Sequence, residues 1–161
     1  MEIRPAAPAD LDAMLTVHTA ARTAYYRAGG LSEAELTDPA EHAGRAAGWA
    51  RAIERADRTA LCAVRADGAV VGVLSMGPPA DTELYQIQVH PDAWGTGIGS
   101  RLHDAYVDAL RAAALPHGTL DVWERNSRAR AFYARHGWRP AGQRIPGPGG
   151  ADYLRLRLEI G

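Results

Sequence analysis

Hydrophobic and polar residues alternate along this chain in two rhythms, and together these lay out an order of elements. Ile3 and Arg4 predict a short opening strand. Pro8-Ala9-Asp10 then starts a helix, with Leu11, Met14, Leu15 and His18 at helical spacing. The stretch from Thr23 to Gly30 reads as irregular and ends in a glycine pair. Ser32 and Glu35 have the spacing of a capping box and open a second helical region, which Pro39 interrupts and which resumes through Trp49 and Ile53 to about Arg55. From Thr59 to Arg65 the period falls to two, with Leu61 and Ala63 on one face and Cys62 and Val64 on the other. Asp67-Gly68 is a hairpin signal, and Ala69 to Met76 is the expected partner strand.

After the break at Gly77-Pro78-Pro79, the segment Glu83 to Arg101 joins several signals. It begins as a strand, with Tyr85, Ile87 and Val89 in one phase, until Pro91, which cannot donate to a sheet ladder. Gly95, Gly97 and Gly99 follow at every second position, and a helix is expected from Gly97 to about Ala114, with Ile98, Leu102, Tyr106, Ala109 and Ala113 along one stripe. Thr119 to Trp123 predicts a strand. Asn126 or Ser127 caps a short helix carrying Ala129, Phe132 and Tyr133 that stops at Gly137. Trp138 to Arg144 and Tyr153 to Ile160 are the expected closing strands, joined by a Pro- and Gly-rich loop from Ile145 to Ala151. Helices and strands interleaved in this way predict an α/β (α+β) fold with a central mixed, mostly antiparallel sheet flanked by helices. One domain over residues 1–161 is expected.

Composition narrows the function classes. At 47% hydrophobic and 23% charged, the chain has the make-up of an ordinary globular protein, and its net charge of −1 gives no reason to expect nucleic acid or an anionic membrane as partner. The sequence has no apolar run near the roughly 20 residues of a membrane span and no signal-like N-terminus. Its one cysteine, Cys62, suits a reducing compartment and reads as a small core residue. A cytoplasmic location is expected. The basic residues are all arginine; with abundant alanine and glycine, this points to a G+C-rich bacterial genome. The six histidines show no metal-ligand spacing, so no metal is expected.

A glycine-rich turn entering a helix leaves several backbone N–H groups unpaired beside the positive end of the helix dipole, which makes a phosphate site. The lack of lysine excludes a P-loop, and Ser100 is out of phase with a dinucleotide fingerprint.

The residues then resemble a known family. Val89 to Gly99, with its V-x-P-x-x-x-G-x-G-I-G pattern, is similar to the acyl-CoA pyrophosphate loop of the GCN5-related N-acetyltransferases, the GNAT family. The segment Leu120 to Trp138 is similar to that family's second signature. The resemblance implies a GNAT-like acyl-CoA N-acyltransferase fold and direct transfer of an acetyl group from acetyl-CoA to a primary amine of a small molecule or peptide. It implies that the backbone of Ile87, Gln88 and Val89 bonds the pantetheine arm like an added strand. The pyrophosphate would rest on the N–H groups of Gly95, Thr96, Gly97, Ile98, Gly99 and Ser100, with Arg101 adding charge at the rim. Trp94 departs from the Gln or Arg common before the first glycine, and is expected to pack beside the cofactor instead.

The same resemblance makes Tyr133 the acid that protonates the CoA sulfur, and Asn126 a contact to the pantetheine or an ordered water. Glu83 or Asp121 would be the base that deprotonates the amine, directly or through water, with Glu83 preferred. Tyr25, Tyr26, Arg27, Trp49 and the loop Ile145 to Ala151 are expected around the acceptor. The arginines of the short helix, Arg125, Arg128, Arg130 and Arg135, offer a contact to the CoA 3′-phosphate. A homodimer is compatible with all of this. The rival readings are a non-catalytic acyl-CoA-binding regulatory module and a dinucleotide-dependent redox enzyme.

Overall fold

The computed structural model describes residues 1–161, in the order β1 (Glu2–Pro5), α1 (Leu11–Ala28), α2 (Glu33–Leu36), α3 (Pro39–Glu54), β2 (Thr59–Val64), β3 (Val70–Met76), β4 (Leu84–Val89), α4 (Ile98–Ala112), β5 (His117–Trp123), α5 (Ser127–Arg135), β6 (Arg139–Pro146) and β7 (Asp152–Glu159). Local signals set most boundaries. Ser32 and Glu35 close their capping box around the start of α2. Asp38 accepts from the Ala40 N–H just ahead of Pro39, which stands at the first position of α3, where its missing N–H costs nothing. Asn126 caps α5 by accepting from the Ala129 N–H.

The strands form two antiparallel sheets, β1-β2-β3-β4 and β5-β7-β6. One parallel bridge links them, which makes the mixed, mostly antiparallel arrangement that was expected, split into two halves. β4 and β5 run side by side and parallel, but touch only at their beginnings. There Glu83 bridges Thr119, and the Thr119 N–H reaches the Thr82 carbonyl at 3.2 Å. Beyond that point they diverge. The register of β3 against β4 shifts between Ser75 and Met76, opposite Leu84, and such an irregularity increases local twist where β4 turns away from β5. The split leaves two strand edges facing each other across a gap.

Both faces of the first sheet are covered. In β2 the alternation is as predicted: Ala63 packs toward α4 with Leu74, Leu102, Tyr106 and Leu120, while Cys62 packs toward α1 and α3 with Met14, Val17, Trp49 and Val73. The buried stripe of α4 is Ile98, Leu102, His103, Tyr106 and Leu110, so it turns inward at Leu110 instead of Ala113 and includes a histidine. His103 is accommodated because its Nε2 accepts the indole N–H of Trp138 at 2.8 Å.

Thr23 to Gly30, expected to be irregular, is helical through Ala28. Tertiary packing sustains it: Tyr26 is 5% exposed and meets the Trp123 ring at 4.7 Å between centroids. Gly29 follows because a Cβ there would lie 2.3 Å from Trp123. Leu31, Leu36 and Ala151 complete this third cluster, with Tyr25 and Tyr153 packed against it.

Candidate active site

The glycine run forms an open cradle. Gly95 and Gly97 have φ of +76° and +85°, a region that side chains disfavour, and Gly97 caps α4 in the left-handed conformation. Gly99 is small for a different reason: a Cβ there would meet the Phe132 ring at 3.3 Å. The backbone N–H groups of Gly95, Thr96, Gly97, Ile98, Gly99 and Ser100 make no backbone hydrogen bond, and the first to close the helix is Arg101, onto the Gly97 carbonyl. Six consecutive free donors at a helix start suit an anion. Arg101 itself turns away, its guanidinium donating to the Met1 carbonyl at 3.2 Å, so the expected rim charge is not supplied by that residue.

The open edge of β4 has a phase. The His90 N–H bonds the Val71 carbonyl on β3, so by alternation the backbone of Gln88 also faces β3, and that of Ile87 and Val89 faces the gap. Gln88 is therefore out of phase for the strand-like contact expected of it; its side chain donates to Gln86 at 3.0 Å. At Val89 the carbonyl is already taken, because the Trp94 indole N–H donates to it at 2.9 Å. The other face of Trp94 carries the Arg128 guanidinium, 4.2 Å from the ring centroid. Arg128 and Arg135 line a groove of about 320 Å³ together with the glycine loop, whereas Thr96 and Arg101 do not.

A second, larger cleft of about 830 Å³ opens on the α1–α3 side. The two meet at Tyr25, Ile87, Gln88, Asn126, Ala129 and Tyr133, which line both. Tyr133 is 8% exposed, and burial pushes its phenol pKa well above 10. A proton held so firmly is suited to stabilising a departing thiolate through a hydrogen bond, and burial disfavours a free thiolate in the same place. Asn126 uses its Oδ1 for the cap of α5 and so can be both cap and ligand contact.

The two acids expected near the amine are brought together by an arginine the sequence did not indicate. β5 pairs with β7 so that Asp121 stands opposite Arg155. Arg155 donates to both Asp121 oxygens at 2.9 and 3.0 Å and lies 2.9 Å from Glu83. Glu83 has its pKa raised, by burial first and then by the like charge of Asp121, against the opposing pull of Arg155. Asp121 lines the larger cleft and Glu83 does not.

Of the expected acceptor residues, Tyr25, Tyr26, Trp49 and the loop residues Pro146 to Pro148 do line that cleft. Arg27 does not: it pairs with Glu33 at the surface, at 2.8 Å. The Tyr26 and Tyr153 hydroxyls are hydrogen-bonded to each other, and the Trp49 indole N–H donates to His18 Nδ1 at 2.9 Å. Neither His18 nor Tyr153 was indicated beforehand; the helical spacing of His18 with Leu11 and Met14 was the one available hint.

Residues 17–138, which hold the cradle, the Glu83–Asp121 pair and Tyr133, match the profile of the Acetyltransferase (GNAT) family. The chain belongs to this family. Among curated GNAT relatives, the mycothiol acetyltransferase of Beutenbergia cavernae is 38% identical over 76 residues, covering 46% of this chain and 26% of that protein. An uncharacterized N-acetyltransferase of Mycobacterium tuberculosis is 34% identical over 93 residues, covering 54% of this chain and 57% of the other. The matched stretch thus spans between about a quarter and three fifths of these relatives' own length. The PaiA N-acetyltransferase of Thermoplasma acidophilum, solved with coenzyme A, superposes with a TM-score of 0.77 over 99% of this chain and 98% of that one, at 20% identity. That likeness establishes the GNAT fold. No helix is long and apolar enough to cross a membrane.

Proposed function

We propose that this chain is an acetyl-CoA-dependent N-acetyltransferase that passes the acetyl group directly to a primary amine. The observation that carries this reading is the position of Tyr133, buried where the loop-side groove and the acceptor cleft meet. CoA would lie in the groove, with its pyrophosphate on the N–H groups of Gly95 to Ser100 and its pantetheine along Ile87 and the Val89 N–H. Arg128 and Arg135 would meet its phosphates.

The amine enters from the larger cleft and attacks the thioester carbonyl. Carbon–nitrogen bond formation gives a tetrahedral oxyanion, whose collapse breaks the carbon–sulfur bond. Tyr133 donates a hydrogen bond and then a proton to the departing sulfur, and it regains a proton from the nitrogen as the amide forms. The amine's proton goes to Glu83, whose pKa is already raised, by way of water, since Asp121 and not Glu83 stands on the cleft wall. No covalent enzyme intermediate is needed.

The test is thiol release from acetyl-CoA across a panel of amines and peptides, with Tyr133→Phe beside the native chain. The variant should bind CoA normally and lose about a hundredfold or more in kcat. Unchanged turnover would remove Tyr133 from the mechanism. A native chain that binds CoA but frees thiol with no amine would instead be the non-catalytic binding module.

A further inference from the structure

The acceptor cleft is asymmetric in charge. Its walls carry three arginines, Arg22, Arg45 and Arg58, and two carboxylates, Glu41 and Asp121. Both carboxylates are already satisfied, Glu41 by Arg22 and Asp121 by the paired donors of Arg155. Of the arginines only Arg22 is, through Glu41. Nine of the eighteen in the chain are ion-paired, and Arg45 and Arg58 are not among them.

Arg58 is held over the Tyr85 ring at 3.9 Å and makes no ion pair. Arg45 reaches only a ring nitrogen of His42, at 3.4 Å, and its Nε is buried with no partner at all. Burial and then the charge of Arg22 pull its pKa down against the opposing pull of Glu41, and a bound anion would add to that opposing pull. The terminal guanidinium nitrogens of Arg45 meet no carboxylate, and spare guanidinium N–H donors match an anion that presents two or more oxygens. On the other side, Glu83 and Asp121 share the single guanidinium of Arg155, an arrangement with one excess negative charge that suits an ammonium group.

We infer that the acceptor is an amine that also carries an anionic group, a carboxylate or a phosphonate, with the amine toward Asp121 and Glu83 and the anion on Arg45. This rests on the acetyltransferase reading for the identity of the cleft. It replaces a generic amine by a zwitterionic one of the amino-acid type.

The experiment reads binding apart from turnover. Calorimetry on the CoA-saturated protein compares pairs that differ in the anion: phenylalanine with phenethylamine, leucine with isoamylamine, and aminomethylphosphonate with methylamine. In at least one pair the anion-bearing member should bind about tenfold or more tightly, the scale of a charge-assisted contact. Arg45→Met should erase that preference and Arg45→Lys should keep part of it, with CoA affinity in each variant reporting an intact fold. Equal affinities throughout, tighter binding of the bare amines, no binding by any pair, or a preference that survives Arg45→Met would each overturn the inference. Thiol release measured on the same samples separates the two claims. An anion-selective ligand that is never acetylated would sink the acetyltransferase reading and leave the anion site standing.

Discussion

Two buried histidines make the stability of this chain depend on pH in a way that can be worked out in advance. His18 accepts the Trp49 indole N–H and His103 accepts that of Trp138, so each needs a neutral ring with a free lone pair. Burial first, then Arg45 and Arg22, brings His18 down to about 4; burial and then His136 bring His103 down to about 4. In the unfolded chain both return to about 6.5. Between those values the unfolded state binds more protons than the folded one, so stability is fully present above the unfolded pKa and is lost as pH falls toward the folded one.

From about pH 7 to about pH 5 the loss is at most about 2 kcal/mol per histidine, or about 3 to 4 kcal/mol for both. Glu83 works in the opposite direction, because its raised carboxyl takes up a proton earlier in the folded state, and it offsets part of the slope near the lower end. The assay is urea unfolding followed by tryptophan fluorescence at both pH values. The native midpoint should fall sharply on acidification, while a His18→Gln, His103→Gln double variant should start less stable and change little. A native midpoint that does not move, or a double variant that keeps the full slope, would refute the reasoning.

Three other perturbations test separate parts of the structure. Trp94→Ala removes the N–H on the Val89 carbonyl and the ring beneath Arg128, and should weaken CoA binding by about five- to twentyfold, with Trp94→Phe recovering part; unchanged CoA affinity by calorimetry would contradict the role given to Trp94. Arg155→Met leaves Glu83 and Asp121 side by side without their shared cation, so the acid limb of the rate–pH profile should move upward by about one unit or more, and a stationary limb would exclude this cluster as the base. Gly72→Ala places a methyl group 2.9 Å from Leu102 Cδ1, 3.1 Å from Ile98 and 3.2 Å from Ala63, and should cost about 1 to 3 kcal/mol of stability; a urea midpoint equal to the native one would mean that α4 shifts freely over the sheet.

Where local chemistry decides the backbone, the sequence could be read directly. The capping box at Ser32, the proline opening α3, the Asn126 cap and the alternation of β2 all depend on residues a few positions apart. The glycine cradle belongs with them, because positive φ at Gly95 and Gly97 is a local requirement. Misreadings arose where distant residues decide. Thr23 to Ala28 stays helical because Trp123, almost a hundred residues on, packs on Tyr26. The pairing of Asp121 with Arg155 depends on strand register, which one sequence does not reveal, and the gap between β4 and β5 depends on where two sheets part. Arg101 follows the glycines in sequence, yet its side chain leaves the loop for Met1.

Trp94 brings these two kinds of information together. As a letter in the loop it looked like a lost cation, since an indole cannot pair with phosphate. In three dimensions the charge is present but comes from another element: Arg128, on the first turn of α5, lies over the Trp94 ring within the groove that the loop lines. The indole N–H meanwhile fixes the ring to the end of β4 through the Val89 carbonyl, so strand, loop and α5 are tied at one point. A cation held by stacking keeps its N–H edges free, whereas one held by a carboxylate spends them on that partner. The substitution therefore moves the source of the charge without removing it, and it couples the anion cradle to α5, the helix that carries Tyr133. A change at Trp94 should accordingly reach both CoA affinity and the position of the acid, whereas a change at Arg128 alone should reach only the affinity.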